Sequence, residues 1–154
     1  MWSESTYRIA LFGHRDFSEH RMLDVKLDLL LTELIDTKPC LELYIGRNGE
    51  FDVYAASVIK RFQKRVGKAS CALILVLPYP QRDMEYYEAY YDSVMIPERT
   101  EKTHPKGAIT KRNRLMVEQA DLVISCVQRK EGGAYAALQY AKKLNKRTVN
   151  LTEL

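Results

Sequence analysis

Three pieces of one stretch decide the fold: Lys111-Arg112-Asn113-Arg114-Leu115-Met116, then Leu122-Val123-Ile124-Ser125-Cys126-Val127, then Glu131-Gly132-Gly133-Ala134-Tyr135. The first reads as a basic turn of helix and the second as an apolar run of strand length. The third reads as a glycine-rich start to another helix. Helix, strand and helix in this spacing bring guanidinium groups and free backbone N–H groups toward one edge of a sheet, which suits a phosphate.

Upstream, the same alternation repeats. Residues 7–12 form a short apolar run that Gly13 breaks. Ser18 is a candidate N-cap for a periodic segment over 19–35, with Leu23, Leu27, Leu30, Leu31 and Leu34 on one stripe. A second strand is predicted over 41–45, followed by a stripe of Val53, Ala56, Ile59, Phe62 and Val66 that ends at Gly67. Residues 72–77 are uninterrupted apolar, as in a strand buried on both faces, and Pro78-Tyr79-Pro80 ends them.

A short aromatic helix over 84–91, a short strand over 94–96 and a polar loop over 97–107 come next. Helix is then predicted over 110–120, strand over 122–127, a stripe of Ala134, Ala137, Leu138, Ala141 and Leu144, and a closing strand over 148–151. Strands alternating with helices imply a three-layer α/β domain over residues 1–154, with a mostly parallel sheet of about five strands and helices on both faces.

The 154 residues suffice for a core without disulfides or metals. Charge is divided unevenly. Residues 98–154 carry 12 Lys/Arg against 6 Asp/Glu, whereas 1–97 carry 12 against 14. A net +6 in the C-terminal third favours an anionic partner, and a solvated lysine-rich helix face gives the same count. Lys111, Arg114, Lys142, Lys143, Lys146 and Arg147 read as that solvated set. Cys40, Cys71 and Cys126 lack metal-ligand or disulfide spacing and read as buried free thiols, which fits a cytoplasmic protein. Residues 1–5 lack the character of a signal peptide, and no apolar stretch is long enough to span a bilayer, so no membrane association is expected.

In open α/β sheets, ligands bind where loops leave the carboxyl ends of the strands. Gly13-His14-Arg15-Asp16 occupies such a position after the first strand. Its glycine permits a tight turn, Arg15 can fork onto a phosphate, and His14 or Asp16 can handle a proton or a ribose hydroxyl; a solvated turn with Asp16 as a helix cap is the plainer alternative. Gly46-Arg47-Asn48-Gly49-Glu50-Phe51-Asp52 follows the second strand and matches neither the Walker pattern nor the dinucleotide fingerprint.

There, Asn48-Gly49 favours positive φ and Asp52 suits an N-cap; alternatively, Gly46 and Gly49 permit close approach of a ligand whose sugar meets Asp52. Arg112 and Asn113 lie on a helix whose apolar side is Leu115, Met116 and Gln119, so they can face the sheet edge. Gly132-Gly133 combines an anion-binding turn with close helix packing, or is a plain connecting loop. Tyr135 can stack on a base. No metal-ligand spacing and no nucleophile elbow occur, and no cofactor is implied.

Taken in order, the strand end Gly13-His14-Arg15, the Gly46 to Asp52 loop, Leu77-Pro78-Tyr79, Lys111-Arg112-Asn113-Arg114-Leu115-Met116, and Ala120-Asp121-Leu122-Val123-Ile124-Ser125 ahead of Gly132-Gly133-Ala134-Tyr135 resemble the SLOG superfamily. The similarity runs over 7–151 and is nearest the small stand-alone YpsA-like proteins. It implies a Rossmann-like domain that binds a nucleotide or nucleotide-derived small molecule in a cleft lined by these loops, with Tyr79 as a possible wall.

Two related groups extend the comparison: LOG-type phosphoribohydrolases cleave an N-glycosidic bond in nucleoside monophosphates, and the DprA branch binds single-stranded DNA. Against the LOG motifs, Arg112 matches the arginine and Asn113 replaces the lysine. Gly132 and Gly133 match the paired glycines, while Glu131 replaces the proline, Tyr135 the third glycine, Ala136 the threonine and Gln139 the catalytic glutamate. Glutamine cannot exchange a proton as a carboxylic acid does, so N-glycosidase activity would need another acid, such as Glu131, Glu118 or Asp16. Single-stranded nucleic-acid binding is a further alternative, and a homo-oligomer is compatible with the fold.

Overall fold

The computed structural model describes residues 6–98 and 104–154. Residues 1–5, read above for a leader, and 99–103, within the predicted 97–107 loop, lie outside them. In chain order the elements are β1 (Thr6–Gly13), α1 (His20–Thr37), β2 (Cys40–Ile45), α2 (Glu50–Val66), β3 (Cys71–Val76), α3 (Met84–Tyr90), β4 (Ser93–Met95), α4 (Pro105–Gln119), β5 (Leu122–Cys126), α5 (Gly132–Lys143) and β6 (Arg147–Asn150). A 3-10 turn, Leu151–Glu153, follows β6.

The strands form one sheet in the order β4-β3-β2-β1-β5-β6, and every neighbouring pair is parallel. Helices cover both faces, as the alternation predicts. On one face, Leu23, Leu27 and Leu31 of α1 and Phe51, Ile59 and Phe62 of α2 pack on Ile9, Leu11, Leu41 and Leu43. On the other, Met116 and Val117 of α4 and Ala137 and Ala141 of α5 pack on Ala10, Phe12 and Val123. The small α5 alanines let that helix lie close to the sheet. Each fully buried Phe or Leu in these layers contributes on the order of 2 kcal/mol.

The sheet has six strands: the short strand predicted over 94–96 is the edge strand β4, which spans Ser93–Met95 and pairs with Ile74, Leu75 and Val76. Helix α4 begins at Pro105, five residues before the predicted start, because proline suits the first helical position and His104 caps it by accepting from Lys106 N–H. Ser18 does not cap α1, which starts at His20 after Glu19.

Gly49, not Asp52, is the N-cap of α2, and its φ of 179° is extended rather than positive. Asp52 lies within the first turn and reaches back to accept from Asn48 N–H at 3.0 Å. Gly49 is needed for a steric reason, since a Cβ there would sit 2.4 Å from Arg15 Cα. Shifting the start of α2 puts Phe51 into the core and leaves Val53 44% exposed. Leu144 is 40% exposed because α5 ends at Lys143. The buried side of α4 is Ala108, Arg112, Met116 and Val117, with Gln119 exposed.

Lys146 is not simply solvated. Its Nζ donates to Glu118 O and Ala120 O, both at 2.9 Å, and so caps the end of α4. Cys71 and Cys126 are buried free thiols whose pKa values burial pushes up to about 12, while Cys40 is half-buried. No helix among the described residues is long and apolar enough to cross a membrane.

Candidate functional site

The strand order places a switch point at the centre of the sheet. After β1 the chain winds toward β2, β3 and β4; it then crosses to the other side of β1 for β5 and β6. Loops leaving β1 and β5 therefore diverge, and a crevice opens between them at their carboxyl ends, where Gly13 stands opposite Cys126.

A cleft of about 430 Å³ occupies this position. Its walls include Gly13, His14 and Arg15 after β1, Gly46, Asn48 and Asp52 after β2, Arg112 and Asn113 on α4, and Gly132 and Gly133 at the start of α5. Four loops and helix ends far apart in sequence thus meet at one site. Three of the predicted positions stand elsewhere. Gly49 lines a neighbouring groove, and Tyr135, on the first turn of α5, falls outside the cleft wall. Tyr79 is also outside the wall.

Arg112 is 3% exposed. It extends from α4 beneath the β2 end: Nη1 donates to Val76 O and Nε to Asn113 Oδ1, each at 2.8 Å. Both acceptors are neutral, and no carboxylate forms an ion pair with Arg112 among the described residues. Gly46 makes room for it, since a Cβ there would lie 2.8 Å from Nη1 and 3.2 Å from Nη2. Burial pulls the Arg112 pKa down, with the nearby carboxylate of Asp52 opposing. Burial conversely raises the Asp52 pKa, against the Asn48 N–H bond and the Arg112 charge.

His14 ties two loops together. Its Nε2 accepts from Gln128 N–H at 3.1 Å and Arg129 N–H at 3.2 Å, which requires that nitrogen to be unprotonated. Burial, then the positive charge of Arg129, lowers its pKa accordingly. Arg129 forms a two-bond pair with Asp16 and lines the cleft, although sequence reasoning passed over it. The available signal was its place in the loop between β5 and α5. Gly132, with φ of 88°, turns the chain into α5, and Gly133 lies opposite Asn113, whose Nδ2 is 3.7 Å from a Cβ built on it. The α5 N-terminus and the Arg112 side chain thus line the same cleft.

The fold is shared with DNA processing protein A. The DprA structure from Streptococcus pneumoniae superposes with a TM-score of 0.65 at 14% identity, over 93% of this chain and 49% of that one. The Helicobacter pylori protein, described for its single-stranded DNA binding mode, superposes with a TM-score of 0.61 at 18% identity, over 96% and 70%. The chain therefore spans about half the length of the S. pneumoniae protein. At these identities the likeness establishes the Rossmann-like fold. No family model and no curated protein sequence matches the chain.

The residues discussed as alternative acids occupy different settings. Gln139 is exposed on α5 and outside the cleft wall. Glu118 accepts from the Tyr140 hydroxyl at 2.6 Å, away from the cleft. Asp16 is engaged by Arg129, and Glu131 is exposed at the rim. Asp52 is the partly buried carboxylate of the cleft, with Oδ2 bonded to Asn48.

Proposed function

We propose that this chain is a single SLOG-type domain, of the stand-alone YpsA-like kind, whose cleft binds a nucleotide or nucleotide-derived small molecule. Arg112 carries the reading. A buried guanidinium held only by neutral acceptors retains a desolvation cost of several kcal/mol that an anionic ligand would offset. The Gly132-Gly133 turn, at the positive end of α5, adds N–H donors next to it, so a phosphate group fits between the two. Asn113, Asp52 and the His14-Arg15 loop are then placed to meet the sugar or base. Free thiols suit a reducing, cytoplasmic setting.

Thermal-shift measurements against nucleosides, nucleoside mono- and diphosphates and ADP-ribose test this. A phosphorylated ligand at 100 times its Kd should stabilise the protein by about 2.7 kcal/mol, while the parent nucleoside does much less. No shift with any phosphorylated compound at millimolar concentration would count against a nucleotide site.

Single-stranded DNA binding is the second reading, favoured by the fold shared with the H. pylori protein and by the basic C-terminal third. N-glycosidic hydrolysis draws less support, because Gln139 stands where the LOG group has its acid and lies outside the cleft wall.

A further inference from the structure

The cleft does not end at Arg15. Arg15 and Asn48 line both the cleft and an open groove of about 510 Å³ that runs outward along the start of α2. Arg47, Gly49, Glu50, Val53 and Tyr54 complete its walls. Two features distinguish this groove from an ordinary charged surface.

The first is how its arginines are held. Arg8, Arg61, Arg65 and Arg129 each pair with a carboxylate. In contrast, Arg15 Nε donates to Asn48 O at 2.7 Å, and Arg47 Nη1 donates to the Tyr91 hydroxyl at 3.1 Å, both neutral acceptors. Arg47 also lies 5.0 Å from the Tyr87 ring centroid and 5.5 Å from that of Tyr86, so tyrosines orient it on several sides without cancelling its charge. Glu50 pairs with neither arginine among the described residues.

The second is the apolar and aromatic surface between them. Tyr54 is 39% exposed, and its ring is stacked at 3.5 Å on His20, which fixes it as a flat platform. Val53 is exposed beside it. Fixed guanidinium groups flanking an exposed ring match the alternation of phosphate and base in a nucleotide chain.

We propose that this groove is a second phosphate and base subsite, so that the ligand carries two or more nucleotide units joined through phosphate. This rests on the reading of the cleft as a nucleotide site and extends it in ligand size. A dinucleotide and a single strand share the required chemistry.

The test is binding of a mononucleotide 5′-phosphate, the 5′-phosphorylated dinucleotide and a 12-nucleotide single strand to the full chain, with Arg47→Gln and Glu50→Gln variants. The dinucleotide should bind about tenfold more tightly than the mononucleotide, with a log–log salt dependence steeper by about 0.7 for the added phosphate. Arg47→Gln should remove that gain and leave mononucleotide affinity unchanged. Glu50→Gln, which leaves the tyrosine cluster intact, should raise dinucleotide affinity about twofold to threefold. Affinity that rises further with the 12-mer identifies a strand, whereas a plateau at two units identifies a dinucleotide. Mononucleotide binding without any gain from the second unit, or equal weakening of both probes by Arg47→Gln, overturns the second subsite and leaves the cleft reading standing. Failure of all three probes to bind overturns both.

Discussion

Replacing Arg112 with methionine separates a ligand-binding arginine from a structural one. Removing the guanidinium forfeits two charge-assisted bonds, to Val76 O and Asn113 Oδ1, worth roughly 1.5–3 kcal/mol each. It also removes the cost of holding a charge that is 3% exposed and has no ion-pair partner, which is several kcal/mol. Methionine fills similar space, and Asn113 is half-exposed, so water can replace its lost donor. The two sides nearly cancel. Arg112→Met should therefore change the stability of the unliganded protein by no more than about 1 kcal/mol, a melting shift of roughly 2–4 °C in a chain of this size. Ligand affinity should fall at least tenfold, because one charge-assisted bond to phosphate is worth about 1.5–3 kcal/mol. Thermal melts with and without the best-stabilising nucleotide read both quantities. A loss of 6 °C or more without ligand, together with unchanged affinity, would make Arg112 a structural strut and remove the main support for the phosphate site.

Three further outcomes follow from the same geometry. Gly46→Ala places a methyl group 2.8 Å from Arg112 Nη1, and should weaken nucleotide binding about tenfold while circular dichroism shows the fold retained. Burial raises the Asp52 pKa, so the folded state holds that proton more tightly than the unfolded chain, and stability falls as pH rises from the ordinary aspartate value through the raised one. Asp52→Asn should accordingly raise the urea midpoint at pH 7 and leave it unchanged at pH 3. His14 has the opposite dependence: its lowered pKa gives stability that is full above the ordinary histidine value and lost as pH falls from there through the lowered one. The protection of the Gln128 and Arg129 amides, taken relative to their intrinsic exchange rates, should fall as pH drops below the ordinary histidine range and Nε2 becomes protonated, and His14→Gln should abolish that pH dependence.

Much of the architecture was legible because hydrophobic period is a local property. Runs such as Leu122–Cys126 and the Leu23, Leu27, Leu31 and Leu34 stripe specify strand and helix without reference to distant residues. The misplaced boundaries share a cause. Asp52 has the chemistry of a cap, yet Arg15 O accepts from Glu50 N–H at 2.9 Å and anchors the helix start three residues earlier, with Gly49 as N-cap. The β4 strand, predicted one residue further on, is only three residues long, and its pairing with β3 sets its bounds.

The candidate site divides in the same way. Glycines and polar residues in the loops after strands marked His14, Arg15, Asn48 and Gly132 as a set, because loops after parallel strands collect at one edge of any such sheet, and Arg112 joined them from the face of its helix. Arg129 escaped notice because its position depends on Asp16, 113 residues away.

Sequence by itself determined the alternation of strands and helices, the parallel sheet and the edge where a ligand would sit, since these follow from side-chain period and chain connectivity. Only the tertiary structure decided that Arg112 is buried against neutral acceptors, that His14 is an unprotonated acceptor joining two loops, and that Arg47 is held by tyrosines. Those states depend on which groups are brought within a few ångströms and how much water is excluded between them, and packing sets both.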